Sequence, residues 1–220
     1  METVRSYLEK TKPAAEGFFK LLNGYDWEKM RAFVEITKVR TQAELVARKG
    51  NFEATDVARE VIAGSILQLA YFAIDSFSAS TCKSAGALRI ESEMNRLLRE
   101  SPKPRTKGIF SLPEKFCIGR DIGDLPLGML VYAGRNQYHH YGEDRLSVVN
   151  EVVFNALHQM WPEPVNGRSF NLYEGKRFRS YSVLCALGWV ANDVGTGYGP
   201  YSTDLSHLLQ VEASQETPPN

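Results

Sequence analysis

Seven residues of this chain gather most of its reactive chemistry: Arg135-Asn136-Gln137-Tyr138-His139-His140-Tyr141. The chain has four histidines, and two of them are adjacent here, beside an arginine and two carboxamides. An imidazole titrates near neutral pH and serves as acid or base. A guanidinium is a permanent, planar cation that fits phosphate oxygens two at a time. Together they meet the needs of metal-free cleavage of a ribose phosphodiester. A base takes the 2′-hydroxyl proton, an acid protonates the leaving 5′-oxygen, and a cation holds the charge building on phosphorus. A bundle without chemistry has its own use for such residues, because cations at a helix C-terminus complement the helix dipole.

The elements around the motif decide where it points. An apolar helical pattern leads into it from Pro126, and Gly142 ends it. At roughly 100° per residue, Leu127, Leu130, Val131, Gly134, Tyr138 and Tyr141 share one face, which must pack inward. Arg135, Asn136, His139 and His140 fall outside that face. Asn136 and His140 are four apart and align, whereas Arg135 and His140 diverge by roughly 140° on an ideal helix. One unbroken helix therefore cannot aim both at one phosphate. Either the helix unwinds near His139 or a second subunit completes the site.

The spacing Arg135-x4-His140, with polar Asn136 directly after the arginine, resembles the Arg-x4–6-His signature of the HEPN superfamily. The longer string through His139, His140 and Tyr141 is similar to the nuclease extension of RNase L and the unfolded-protein-response sensor kinases. The resemblance spans about Asp56 to Trp161, and only its motif is sharp. It implies an all-α, HEPN-like helical bundle that acts as a metal-independent endoribonuclease, leaves a 2′,3′-cyclic phosphate and needs no cofactor. It implies a homodimer whose two motifs form one composite site, and a role as a toxin or defence effector with an antitoxin or sensor partner. Arg135, Asn136 and His140 become the catalytic set, with His139, Tyr138 and Asp75 in support. Asp75 would orient Arg135 from a neighbouring helix, or else face solvent. Such nucleases also use an upstream tyrosine, for which Tyr71 and Tyr132 are candidates. The competing reading is a catalytically silent HEPN-like dimerisation or interaction module.

Other features narrow the field. Lysine plus arginine equals aspartate plus glutamate, 26 each, so no global basic field attracts nucleic acid. RNA contact must be local, through Lys103, Arg105, Lys107, Lys115 and Arg120 in the central loop, with Lys176, Arg177 and Arg179 later. Such runs also occur as solvated surface. Cys82, Cys117 and Cys185 lack finger spacing and read as free thiols in a reducing cytoplasm. A metal site from His139, His140, Glu143 and His158 lacks the Glu-x-x-His pairs of helical metal bundles, and no metal is expected. The start of the chain is not built like a signal peptide. Val61 to Phe77 is apolar but broken by Gly64, Ser65, Gln68, Asp75 and Ser76, which suits a core helix and not a membrane span.

The expected organisation is an N-terminal helical extension over 1–50, a HEPN-like bundle over 51–192, and a C-terminal loop and disordered tail over 193–220. The extension reads as short helices broken at Pro13, Asn23-Gly24 and Lys49-Gly50. In the bundle, Ile62, Ile66, Leu69, Ala73 and Phe77 mark a long helix, and Ile90, Met94 and Leu97 a second. A long central loop runs from Ser101 to Pro126, with an extended piece near Lys115–Ile118. After the motif, Asp144 caps a helix through Leu146, Val149, Val153, Leu157 and Met160. A last buried helix spans Arg179 to Ala191, and Gly195, Gly197 and Gly199 read as a surface loop.

Overall fold

The computed structural model describes residues 3–100, 111–139, 146–162, 169–170, 179–190 and 197–213. It is an all-α bundle. Its helices are α1 (Val4–Ile36), α2 (Gln42–Phe77), α3 (Ala85–Glu100), α4 (Leu127–His139), α5 (Val148–Met160), α6 (Ser180–Ala186) and α7 (Tyr198–Ala213). A 3₁₀ turn (Glu114–Phe116) and a two-stranded antiparallel hairpin, β1 (Asp121–Ile122) with β2 (Leu125–Pro126), precede α4.

The N-terminal region departs from the sequence reading. Instead of short helices broken at Pro13 and Asn23-Gly24, α1 runs unbroken through both. Proline inside a helix costs about 3 kcal/mol. Here its ring lies on the exposed side, and the helix is held along its length by α2. Tertiary packing outweighs the local signal. Lys49-Gly50 likewise lies inside α2, so the boundary expected at residue 50 falls within a helix. Thr3 and Thr41 cap α1 and α2, each hydroxyl accepting a backbone N–H three residues on.

The central helix of the fold is α2. Ala63, Ile66, Leu67, Ala70, Ala73 and Ile74 are buried, and α1, α4, α6 and α7 all pack against it. Among the described helices α2 alone is long and apolar enough to cross a membrane, and 44% of its most apolar stretch is buried inside the bundle.

Three further expectations change. The piece near Lys115–Ile118 is a 3₁₀ turn, not an extended strand. The helix after the motif is capped by Ser147, whose hydroxyl accepts from Asn150 N, and starts at Val148; Asp144 and Gly142 lie outside the described residues. The C-terminal region is not simply loop and tail. The last buried helix stops at Ala186, and α7 follows. Tyr201, Leu205, Leu208 and Leu209 of α7 recur at helical spacing and are buried against α1 and α2. Gly197 is buried at 3.5 Å from Phe19 Cβ, measured from the position a Cβ would take, and Gly199 is in the first turn of α7.

Candidate active site

Position is set before α4 begins. The two-residue turn Gly123-Asp124 joins β1 to β2, and Gly123 has φ +61°, a conformation glycine adopts without strain. Backbone N–H groups of Leu127 and Gly128 then donate to Arg120 O and Ile118 O. A Cβ on Gly128 would lie 2.6 Å from Phe116 O, so only glycine lets the 3₁₀ turn press this closely on α4.

The predicted inward face of α4 is buried: Leu127, Leu130, Val131 and Gly134. Each buried aliphatic side chain contributes roughly 1.5–3 kcal/mol. Met129, Ala133 and Gln137 are buried as well, so the helix is enclosed more widely than one stripe. The buried carboxamides of Gln137 and Asn150 meet 3.3 Å apart and tie α4 to α5. Two glycines bring α4 against its neighbours. A Cβ on Gly134 would fall 2.8 Å from Leu67 Cδ1, and one on Gly64 would fall 2.4 Å from Tyr138 Cδ2. Tyr138 is half-buried in that contact, a packing residue as its wheel position implies.

The last turn of α4 presents the motif beside α2. Arg135 and Asn136 are half-buried, and His139 is exposed. Arg135 Nε donates to Gln68 Oε1 at 3.1 Å, and an Arg135 terminal nitrogen donates to Asn136 Oδ1 at 3.3 Å. The same Gln68 oxygen lies 2.7 Å from His139 Nε2. Its orientation is settled by Arg135, since the amide nitrogen would oppose a guanidinium donor. Gln68 Oε1 only accepts, so His139 carries its proton on Nε2 when neutral.

Below the guanidinium lies Tyr71, whose ring centroid is 4.5 Å from Arg135 Cζ. Tyr71 stacks on Phe116 at 4.8 Å, and Phe116 meets Tyr132 at 5.0 Å. Burial and the nearby Asp75 carboxylate push the Tyr71 hydroxyl above its usual pKa, against the pull of Arg135. Tyr71 therefore stays protonated at neutral pH. Both candidate upstream tyrosines thus stand next to the motif, with Tyr71 in direct contact.

Asp75 has a different partner from the one expected. Lys115 Nζ donates to the Asp75 carbonyl at 2.6 Å and lies 3.4 Å from its carboxylate. A cation bound to a carbonyl near the C-terminus of α2 complements that helix's dipole. Gln68, not Asp75, is the α2 residue that bonds Arg135. Gln68 was visible only as a polar break in the Val61–Phe77 run; nothing in one sequence pairs it with Arg135.

The cations proposed for RNA are mostly committed or beyond view. Arg120 makes two 2.9 Å bonds to Asp204, which also accepts from the Trp189 indole. Lys115 is held at Asp75, and Arg179 is buried against Phe154. Lys103, Arg105, Lys107, Lys176 and Arg177 lie outside the described residues, as do His140, Tyr141 and Glu143. α4 is helical through His139, so the helix does not unwind before that residue. Among the described residues, no group of three or more His, Cys, Asp or Glu side chains is placed to hold a metal ion.

No family model matches the chain, and neither a curated protein nor a solved structure matches it. The functional reading therefore rests on the residues themselves.

Proposed function

We propose that this protein is a metal-independent endoribonuclease of HEPN type. The observation that carries the reading is the shared acceptor: Gln68 Oε1 holds Arg135 and His139 together at an accessible helix end. In the proposed reaction Arg135 clamps a phosphate oxygen and stabilises the phosphorane. A histidine takes the 2′-hydroxyl proton and a second returns a proton to the 5′-oxygen. His140 fills the family spacing and is the first choice for one role; His139, with its Nε2 fixed on Gln68, supplies the other. Asn136 orients the arginine. The products are a 2′,3′-cyclic phosphate and a 5′-hydroxyl, and no cofactor takes part. The wheel divergence of Arg135 and His140 supports a homodimer in which each site borrows from the partner subunit. A cytoplasmic toxin or defence effector, held in check by an antitoxin or sensor protein, fits this chemistry. Incubation with total RNA in EDTA tests it directly.

One observation favours a second reading. Arg135 is satisfied within the chain, by Gln68, by Asn136 and by the Tyr71 ring. That is also how a structural arginine is held, as in a catalytically silent HEPN-like interaction module. The two separate on one result: a silent module leaves RNA intact.

A further inference from the structure

One aromatic ring beside the motif is left uncovered. Phe72 is 48% exposed, on the stretch of α2 that carries Gln68 and Tyr71. The helix period puts Phe72 about 40° from Gln68 and one turn, about 6 Å, further along the axis. Gln68 is the residue whose oxygen holds Arg135 and His139. Tyr71 links the ring to the guanidinium. The Tyr71 ring centre lies 4.5 Å from Arg135 Cζ and 6.3 Å from the centre of Phe72, which it meets edge to face at 72°. These contacts set where Phe72 stands relative to the cation.

The surroundings of the ring suit a single base better than a protein. Ser76, one turn on, is exposed and too small to cover it. The Asp75 carboxylate is matched by Lys115 Nζ at 3.4 Å, so a phosphate chain meets no uncompensated negative charge there. A stable protein interface buries roughly 800 Å² per partner, whereas one half-exposed phenyl ring offers on the order of 100 Å². The nearest exposed large apolar side chain along α2, Val61, is about three turns away. Phe72 is a lone ring next to a cation, not part of an apolar face.

We propose that Phe72 stacks the base next to the phosphate held by Arg135, and so selects a purine at that position. A cation for the phosphate and an open aromatic ring for the base are the two parts that grip an unpaired nucleotide. A base inside a duplex is already stacked on both faces and cannot cover the ring. Purines present the larger π face, so stacking favours adenine and guanine over cytosine and uracil. The inference rests on the nuclease reading, which supplies the phosphate at Arg135. It adds a residue in contact with the substrate that lies outside the motif and on a different helix.

Two measurements on the full chain test it. The first is cleavage of short single-stranded RNAs with each of the four bases on either side of the cut. Wild type should prefer a purine on one side. Phe72→Ala should lose on the order of tenfold in kcat/KM on those purine substrates and lose the preference. Its circular dichroism and sedimentation should not change, since the side chain is exposed. Phe72→Trp should keep the preference, and Phe72→Leu, apolar but without a π face, should not. The second is binding of a 2′-O-methyl oligoadenylate carrying one 2-aminopurine, which cannot be cut. Stacking should quench its fluorescence with wild type and not with Phe72→Ala. Wild-type rate and base preference in Phe72→Ala overturn the inference and leave the nuclease reading standing. So does full activity in Phe72→Leu, or a changed oligomeric state in Phe72→Ala, which would give the ring a protein partner. A wild type that cuts no RNA yet shows Phe72-dependent quenching sinks the nuclease reading alone; absence of that quenching sinks the inference.

Discussion

The Gln68 carboxamide oxygen lies 2.7 Å from His139 Nε2, on an oxygen that Arg135 already holds. This fixes a proton on Nε2 of the neutral imidazole. Nitrogen NMR of the histidine rings should report the Nε2–H tautomer for His139. Gln68→Leu should release it, shift the tautomer balance, and lower cleavage by on the order of 10²-fold through misplaced acid–base chemistry. A normal rate in Gln68→Leu would show that this oxygen organises nothing catalytic.

Gly64 and Tyr138 make the second test. An alanine at 64 gains about 1 kcal/mol in helix propensity. Its Cβ would meet the inner part of the Tyr138 ring at 2.4 Å, so the ring or α4 itself must shift. Overpacking of this kind costs typically 1–3 kcal/mol, so the clash outweighs the gain. Thermal unfolding of Gly64→Ala should show a lowered Tm, and activity should fall with the displaced motif. An unchanged Tm would mean that α2 and α4 are not so closely packed.

Glu60 gives a pH signature. Tyr181 N, in the first turn of α6, donates to its carboxylate at 3.1 Å, and burial raises its pKa to about 7. The backbone bonds from Tyr181 and Ser180 and the charge on Arg59 pull the other way, while Asp56 adds to the rise. The unfolded chain releases this proton near 4.5. Between about pH 4.5 and 7 the folded protein holds a proton the unfolded chain has lost, so this group's contribution to stability falls as pH rises. Above pH 7 the full penalty applies, on the order of 3 kcal/mol. Glu60→Gln keeps the acceptor and removes the charge. It should raise Tm at pH 8 and leave it nearly unchanged at pH 4.5, as read by calorimetry. An equal gain at both pH values would point to a cause other than ionisation.

The sequence made the motif helix legible almost to the residue. Leu127, Val131 and Gly134 at helical spacing announce a buried stripe, and α4 begins at Leu127. The same logic would have found α7 through Tyr201, Leu205, Leu208 and Leu209, but the neighbouring glycines suggested loop. Pro13 and the Asn23-Gly24 pair misled because local breakers act before packing is known, and α1 packs on α2 as one continuous helix. The site itself was half legible. Arg135, Asn136 and His139 are adjacent in sequence, so the helix period brings them together. Gln68 and Tyr71 reach Arg135 only through the crossing of α2 on α4, which one sequence does not encode in any local pattern. The contrast between Asp75 and Gln68 shows the limit. Both are polar residues on α2, and only the crossing decides which meets the arginine.

The measurement that bears most directly on the central claim compares wild type, Arg135→Ala and His140→Ala on a defined RNA in EDTA. Wild type should cut and leave a 2′,3′-cyclic phosphate, and a 2′-deoxy substitution at the cut position should block it. Both variants should lose on the order of 10²–10⁴-fold in rate. Both should remain folded, Arg135→Ala at a cost of about 1 kcal/mol for its stack on Tyr71. His139→Ala assigns the second histidine: a larger loss than His140→Ala would make His139 the principal acid or base. Equal cleavage by wild type and both variants, or no cleavage by wild type, would contradict the account and leave the silent interaction module.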